Sequence, residues 1–224
     1  MSTMTDITPT SSFRMLKAMV GIGAICGLLI VVSYQGTLPR IEQLKAESLQ
    51  NAIFKVLPGI TETQGFVYSD NHFIPTNEQT ENMLYAGYDK EGKLVGIAIA
   101  AAGQGYADVI RILYGYDPVN QKVIGFYVLE SKETPGLGDK IEKDQKFLDN
   151  FIALDVLLVD DQSAVKNKVI TVKSGSKSND WEVDGITGAT ISSRAIGNII
   201  ASSSDEWLPI IYKNQSDFLK RNND

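Results

Sequence analysis

The stretch MLYAGYDKEGKLVGIAIAAAGQGYADVIRILYGYDPVNQKVIGFYVL, Met83 to Leu129, alternates strand-like apolar runs with tight-turn tetrads. Met83 to Tyr88 and Leu94 to Ala101 flank Asp89-Lys90-Glu91-Gly92, which predicts a hairpin. Ala107 to Tyr116 and Val123 to Leu129 flank Asp117-Pro118-Val119-Asn120, which predicts a second. Sequential strands joined by short turns pair antiparallel. Helical patterns outside this block make the fold class α+β, with a mixed, mainly antiparallel sheet.

Upstream, 61–82 is polar, lacks period and reads as a connector; His72 then sits on an exposed loop. Before it, Ile41, Leu44, Leu49, Ile53 and Val56 form a helical stripe over Arg40 to Val56, closed by Pro58-Gly59. Downstream, Lys143 to Ile152 reads as helix and Lys168 to Lys173 as strand. Ser174 to Asp180 has a flexible, polar composition. Helices are expected over Ala189 to Ser202 and Asp205 to Tyr212, and the polar tail after Asn214 is expected to fray. The chain thus divides into a tail (1–17), a membrane span (18–37), a helix with its connector (38–82), a globular domain (83–213) and a C-terminal tail (214–224).

The span rests on length. No charged residue occurs from Ala18 to Pro39, and the apolar run AMVGIGAICGLLIVV covers Ala18 to Val32. With its flanks it reaches the roughly 20 residues a transmembrane helix needs. The run is long for a signal peptide, and no small-x-small cleavage site follows it. Arg14 and Lys17 precede it, whereas Arg40 and Lys45 follow. The bases on the N-terminal side place the tail inside and the domain outside, at the periplasmic face of the inner (cytoplasmic) membrane, as a single-pass protein. Cys26 falls mid-span and reads as a small apolar side chain.

Composition narrows the chemistry. The 224 residues carry a formal net charge of -6, one cysteine and one histidine. An acidic chain repels phosphate backbones, so no nucleic-acid partner is expected. One cysteine cannot build a cysteine-ligated zinc or iron–sulfur site, and one histidine leaves little scope for a nucleophile–base pair. No metal site is expected.

Three glycine-bearing segments stand out. DGITGAT, Asp184 to Thr190, runs into ISSRAIGNII, where Ile191, Ala195, Ile196 and Ile199 recur at helical spacing. Its end is therefore a loop-to-helix junction, with free backbone N–H groups and the positive end of the helix dipole. Such a junction suits a phosphate. Gly185 and Gly188 allow close approach, Ala189 keeps space open, and Thr190 presents a hydroxyl. The plainer alternative makes Thr187 an N-cap and Thr190 a first-turn surface residue. SKETPGLGDKIE, Ser131 to Glu142, directly follows a strand, and Pro135, Gly136 and Gly138 give it a shaped backbone. In AAGQGYADVI, Ala101 to Ile110, Gly103 and Gly105 interrupt a strand pattern, as at a bulge or a close backbone approach. Tyr106 there reads as a core residue in preference to a ligand contact.

DGITGAT fits the pattern Asp-x-x-Ser/Thr-Gly-Ala-Thr by which a flavin transferase recognises its protein substrates. With ETPGLG, Glu133 to Gly138, and the preceding GxGY segment, it resembles the FMN-binding domain family. The order of span and motifs is most similar to the G subunits of Rnf-type electron transport complexes. The C subunits of sodium-translocating NADH:quinone reductases rank second, being longer between span and flavin domain. The resemblance covers about Phe13 to Tyr212.

It implies FMN joined to Thr190 by a phosphoester bond, attached by a flavin transferase that takes FMN from FAD. Asp184 would help that enzyme position the acceptor, or would simply form the turn before Gly185. Thr187, Gly188 and Ala189 complete the attachment motif. Glu133, Thr134, Leu137 and Gly138 would shape the ring pocket, with Gly105 and Tyr106 as weaker contributors. Lys140 or Lys173 would stabilise a reduced, anionic flavin. The expected role is an electron-carrier subunit of an ion-translocating membrane oxidoreductase, not a stand-alone enzyme. Its partners would be the other subunits, the transferase and membrane lipid. A colourless anchored scaffold is the alternative without redox chemistry.

Overall fold

The computed structural model describes residues 12–78, 80 and 83–219. Parts of both expected tails (1–11 and 220–224) lie outside the described residues. By contact density the chain divides after Glu47.

Helix α1 runs Ser12–Val56 with Pro39 inside it. The sequence suggested a span and a separate amphipathic helix; the backbone stays helical through both. Proline cannot donate to the carbonyl four residues back. The hydroxyl of Thr37, just ahead of it, donates to the carbonyls of Ser33 (2.9 Å) and Tyr34 (3.1 Å). Among the described residues α1 is the one helix long and apolar enough to cross a membrane, and its apolar side chains there are exposed.

The second unit is built on a seven-stranded sheet. Its strands are β1 (Glu62–Ser69), β2 (His72–Thr76), β3 (Leu84–Tyr88), β4 (Leu94–Gln104), β5 (Val109–Asp117), β6 (Lys122–Glu130) and β7 (Leu154–Asp155). They lie in the order β2-β1-β3-β4-β5-β6-β7, every pair antiparallel. Both expected hairpins form. The polar connector expected at 61–82 is instead largely the β1–β2 hairpin. Its turn uses Asp70 and Asn71 at positive φ, residues that tolerate that conformation. His72 is exposed, but on a strand.

One sheet face carries the main core. Helix α3, Thr190–Lys213, packs Ile196, Ile199, Ile200, Leu208 and Ile211 there, with Tyr114, Tyr116, Phe147 and Phe151. The two expected C-terminal helices are this single one. Helix α2 covers only Gln145–Leu148, followed by a 3₁₀ turn at Asp149–Phe151, so the expected Lys143 to Ile152 helix is shorter and tighter. The expected frayed tail also begins with structure. Gln215–Phe218 is a 3₁₀ turn whose Phe218 is wholly buried against Phe66 and Phe73.

The other face meets the end of α1. Ala52, Ile53, Val56 and Leu57 cluster with Ala98 and Leu113. Two cross-strand glycine pairs, Gly87–Gly96 and Gly115–Gly125, make room. A Cβ on Gly115 or Gly125 would strike the Val56 carbonyl, and one on Gly87 would lie 2.7 Å from the Leu57 side chain. Finally, β8 (Ile170–Val172) and β9 (Glu182–Asp184) pair in parallel beside α3 and lead the chain into the junction at Thr190.

Candidate functional site

Thr190 is the first residue of α3, and its side chain is exposed. The cap is Ala189, whose side chain can make no hydrogen bond, so Thr187 is not the N-cap and stands free on the surface. No side chain caps the helix; Ser193, fully buried one turn in, ties the junction together instead. Its Oγ donates to the Ala189 carbonyl (2.8 Å) and accepts from the Ile186 N–H (3.3 Å). A turn from Ile186 to Ala189 (3.1 Å) passes through Gly188 at φ +87°, a conformation that strains any L side chain. The junction therefore exposes Thr187, Gly188 and Thr190 while Ala189 points inward.

Asp184 ends β9. Its Oδ1 accepts from the N–H groups of Gly175 (2.7 Å) and Ser176 (3.3 Å), so it closes the 174–176 loop and does not cap the turn at Gly185. Asn150 braces the same residue from behind. Its Oδ1 accepts from Asp184 N (3.0 Å) and its Nδ2 donates to Asp184 O (3.3 Å). Glu182 is buried and folds back on the N–H groups of Ser178 (2.7 Å) and Asn179 (3.1 Å). The Ser178 bond, followed by the Asn179 side chain, holds its carboxyl below the usual carboxylate range.

Two clefts open on either side of Thr190. One, of about 380 Å³, is lined by Lys173, Ser174, Gly185, Thr187, Thr190 and Arg194. Neither the Lys173 ammonium nor the Arg194 guanidinium has a hydrogen-bond or ion-pair partner among the described residues. The other, of about 330 Å³, is lined by Tyr106, Glu133, Leu137, Gly188, Thr190 and Ile191. Tyr106, Leu137 and Ile191 leave more than half of their surface in solvent. Tyr106 is therefore an exposed wall, contrary to the core position its sequence suggested. Thr134 and Gly138 also line this cleft.

The ETPGLG loop is held by its own backbone. Leu137 N–H donates to the Thr134 carbonyl (3.1 Å), Gly136 takes φ +79°, and Gly136 N–H donates to Asp139 (2.7 Å). Asp139 also pairs with Lys143 at 2.6 Å, and that partner lowers its carboxyl pKa. A Cβ on Gly188 would lie 4.0 Å from Nζ of Lys140, so this ammonium stands over the junction. Gly103 and Gly105 mark close approaches, of side chains and not of backbone. A Cβ on Gly103 would meet Ile199 at 2.5 Å, and one on Gly105 would strike Glu133.

Glu133 is turned inward. Oε1 accepts from the N–H groups of Tyr106 (2.8 Å) and Ala107 (3.0 Å), and Oε2 from Ser192 Oγ (2.6 Å). Of the residues singled out from sequence, Thr187, Gly188, Ala189, Thr190, Glu133, Thr134, Leu137, Gly138 and Tyr106 line the two clefts. Asp184 and Gly105 act from behind. Arg194, Ser193 and Asn150 were missed. Only Arg194 left a signal, because residues four apart share a helix face and Thr190 begins the helix.

A G subunit of an ion-translocating oxidoreductase complex from Methanosarcina acetivorans is 28% identical over 192 residues, covering 86% of this chain and 92% of its own. The G subunit of a proton-translocating ferredoxin:NAD(+) oxidoreductase complex from Clostridium ljungdahlii is 29% identical over 191 residues, covering 85% and 89%. This chain is similar to those G subunits over most of its length. Its residues 105–204 match the FMN-binding domain family. They include every lining residue of both clefts. The C subunit of the Na(+)-translocating NADH-quinone reductase of Parabacteroides distasonis superposes with a TM-score of 0.57 at 20% identity, over 82% of this chain and 98% of that one. That likeness is one of fold.

Proposed function

We propose that the chain is the membrane-anchored flavin subunit of an Rnf-type ion-translocating redox complex, with FMN joined through its phosphate to Oγ1 of Thr190. One observation carries this reading. The exposed hydroxyl of Thr190 stands at a helix start between a cationic cleft and an apolar one. At about 380 and 330 Å³ the clefts fall at the small end of the roughly 300–1,000 Å³ usual for ligand sites.

The parts of FMN differ in chemistry, and so do the clefts. A phosphodiester keeps one negative charge. Lys173 and Arg194 offer unpaired cations to it, Lys140 stands over Gly188, and the first N–H groups of α3 have no acceptor within the helix. Tyr106, Leu137 and Ile191 offer apolar surface to a flat ring and shield it from water, with Thr134 and Gly138 completing that wall. Gly188 keeps the apolar cleft beside Thr190 free of a side chain. Asp184 holds the loop carrying Ser174, and so sets the far wall of the cationic cleft.

Bound FMN supplies one- and two-electron transfer, for which the chain itself has no group. Thr190 is a tether, so the cofactor stays in place whatever its affinity in one redox state. Its exposure leaves Oγ1 open to a flavin transferase, which takes FMN from FAD with AMP leaving. Helix α1 holds the domain at the membrane. Arg14 and Lys17 at its N-terminal end keep that end inside, leaving the domain on the outer face to pass electrons between partner subunits.

The test is mass mapping of the full chain produced with an active flavin transferase. The peptide bearing Thr190 gains one FMN less water, and fluorescence survives denaturation. Thr190→Val abolishes both while the fold persists. Unmodified Thr190 in wild type, or undiminished flavin in Thr190→Val, overturns the reading.

A further inference from the structure

We infer that Glu133 sets the redox potential of the flavin as a buried fixed charge behind the apolar cleft. The inference rests on the flavin reading above and deepens it. Glu133 is 6% exposed, and both its oxygens accept hydrogen bonds, as a carboxylate does. Three donors converge on it: the backbone of Tyr106 and Ala107 from the β4–β5 tip, and Ser192 from α3. It thereby joins three walls of the cleft. Gly105 and Gly138 are the bare positions that admit it, since a Cβ on either would strike its carboxylate oxygens.

No cation pairs with this carboxylate among the described residues. The nearby Lys132 is engaged with Asp108 at 2.7 Å, and Lys143 with Asp139. The charge is thus satisfied by dipoles and remains a net negative charge at the cleft wall, screened little because water is largely excluded. The redox step is outer-sphere. One electron enters the flavin from a lower-potential redox centre of a partner subunit and leaves to a higher-potential one, with no covalent bond made or broken. Each electron accepted without a proton adds negative charge to the ring. Glu133 opposes that charge and holds the midpoint potential low. Lys173 and Arg194, beyond Thr190, face the phosphate side, and Lys140 over Gly188 offsets this repulsion only in part.

The test is a spectroelectrochemical titration of flavinylated full-length protein in detergent. Glu133→Gln keeps both bond types, its Oε1 accepting from Tyr106 and Ala107 and its Nε2 donating to Ser192. Its midpoint potential moves to more positive values, with the flavin mass on the Thr190 peptide unchanged. Glu133→Asp keeps the charge and stays near wild type. Where Glu133→Gln does not accumulate, Ser192→Ala serves. It strips one donor from a charge that remains, and the potential moves to more negative values. An unchanged potential in Glu133→Gln, or in Ser192→Ala where that variant replaces it, or equal shifts for Glu133→Gln and Glu133→Asp, overturns the inference while leaving flavin attachment standing. Absence of flavin from wild type overturns the reading beneath it.

Discussion

The hydroxyl of Ser193 lies 2.8 Å from the carbonyl of Ala189, and this pairing closes the loop that presents Thr190. The same oxygen receives the Ile186 N–H at 3.3 Å, so one buried atom fixes both ends of the turn. Thr187, by contrast, caps nothing. Thr187→Ala therefore changes stability by no more than about 0.5 kcal/mol, as for an ordinary surface site. Ser193→Ala leaves the Ile186 N–H without its side-chain partner and costs about 1–3 kcal/mol. Denaturant midpoints of the two variants measure the contrast. A larger loss for Thr187→Ala would restore it as the cap.

Arg194 stands one helical turn beyond Thr190 and lines the same cleft. With FMN attached as proposed, Arg194→Gln removes a charge-assisted partner of the phosphodiester but not the acceptor hydroxyl. Flavin content after denaturing wash stays at the wild-type level. Fluorescence anisotropy of the native protein falls, because the flavin is tethered at one point and held less firmly. In wild type, added salt weakens the ion pair and lowers anisotropy; in the variant, salt has little effect.

Acid loosens the loops around the site before it unfolds the sheet. The Asp139 carboxyl is held low chiefly by its bond to Lys143, and that of Glu182 chiefly by the Ser178 N–H. A carboxyl with a lowered folded pKa contributes stability that is complete above its unfolded value, near 4. That contribution is lost as pH falls through the folded value. Stability is then flat from neutral pH to about 5 and declines below about 4. In Asp139→Asn and Glu182→Gln the acid decline is shallower, as measured by urea midpoints across pH. At the alkaline end, burial pushes the phenols of Tyr88 and Tyr114 up to about 12. Their contribution is whole below the ordinary phenol value of about 10 and is lost as pH rises beyond it.

Phe218 lies past the end of α3 and is wholly buried, its ring against those of Phe66 and Phe73. Phe218→Ala costs about 3–5 kcal/mol. It also frees the neighbouring 3₁₀ turn, where Asp217 accepts from the Phe73 N–H at 2.9 Å. Hydrogen exchange of the β1–β2 hairpin reports the loss, and unchanged protection there would refute it.

Local chemistry alone determined several features: the hydrophobic span, the two central hairpins, and the glycine-flanked threonine at a helix start. Each depends on residues adjacent in the chain, where turn propensity and side-chain period act directly. The β1–β2 hairpin escaped notice because it lies at the sheet edge, and its outward residues blur the alternation. Phe218 looked like tail because one aromatic has no period. The site depended most on the fold. Glu133 and Ser192 are 59 positions apart. Tyr106 reaches the cleft wall only because β4 and β5 bring their tip there, and Asn150 supports Asp184 from 34 positions away. Sequence could name the proposed attachment hydroxyl because a short motif carries it. Only long-range packing could decide which side of that hydroxyl is cationic, which is apolar, and where the buried carboxylate lies.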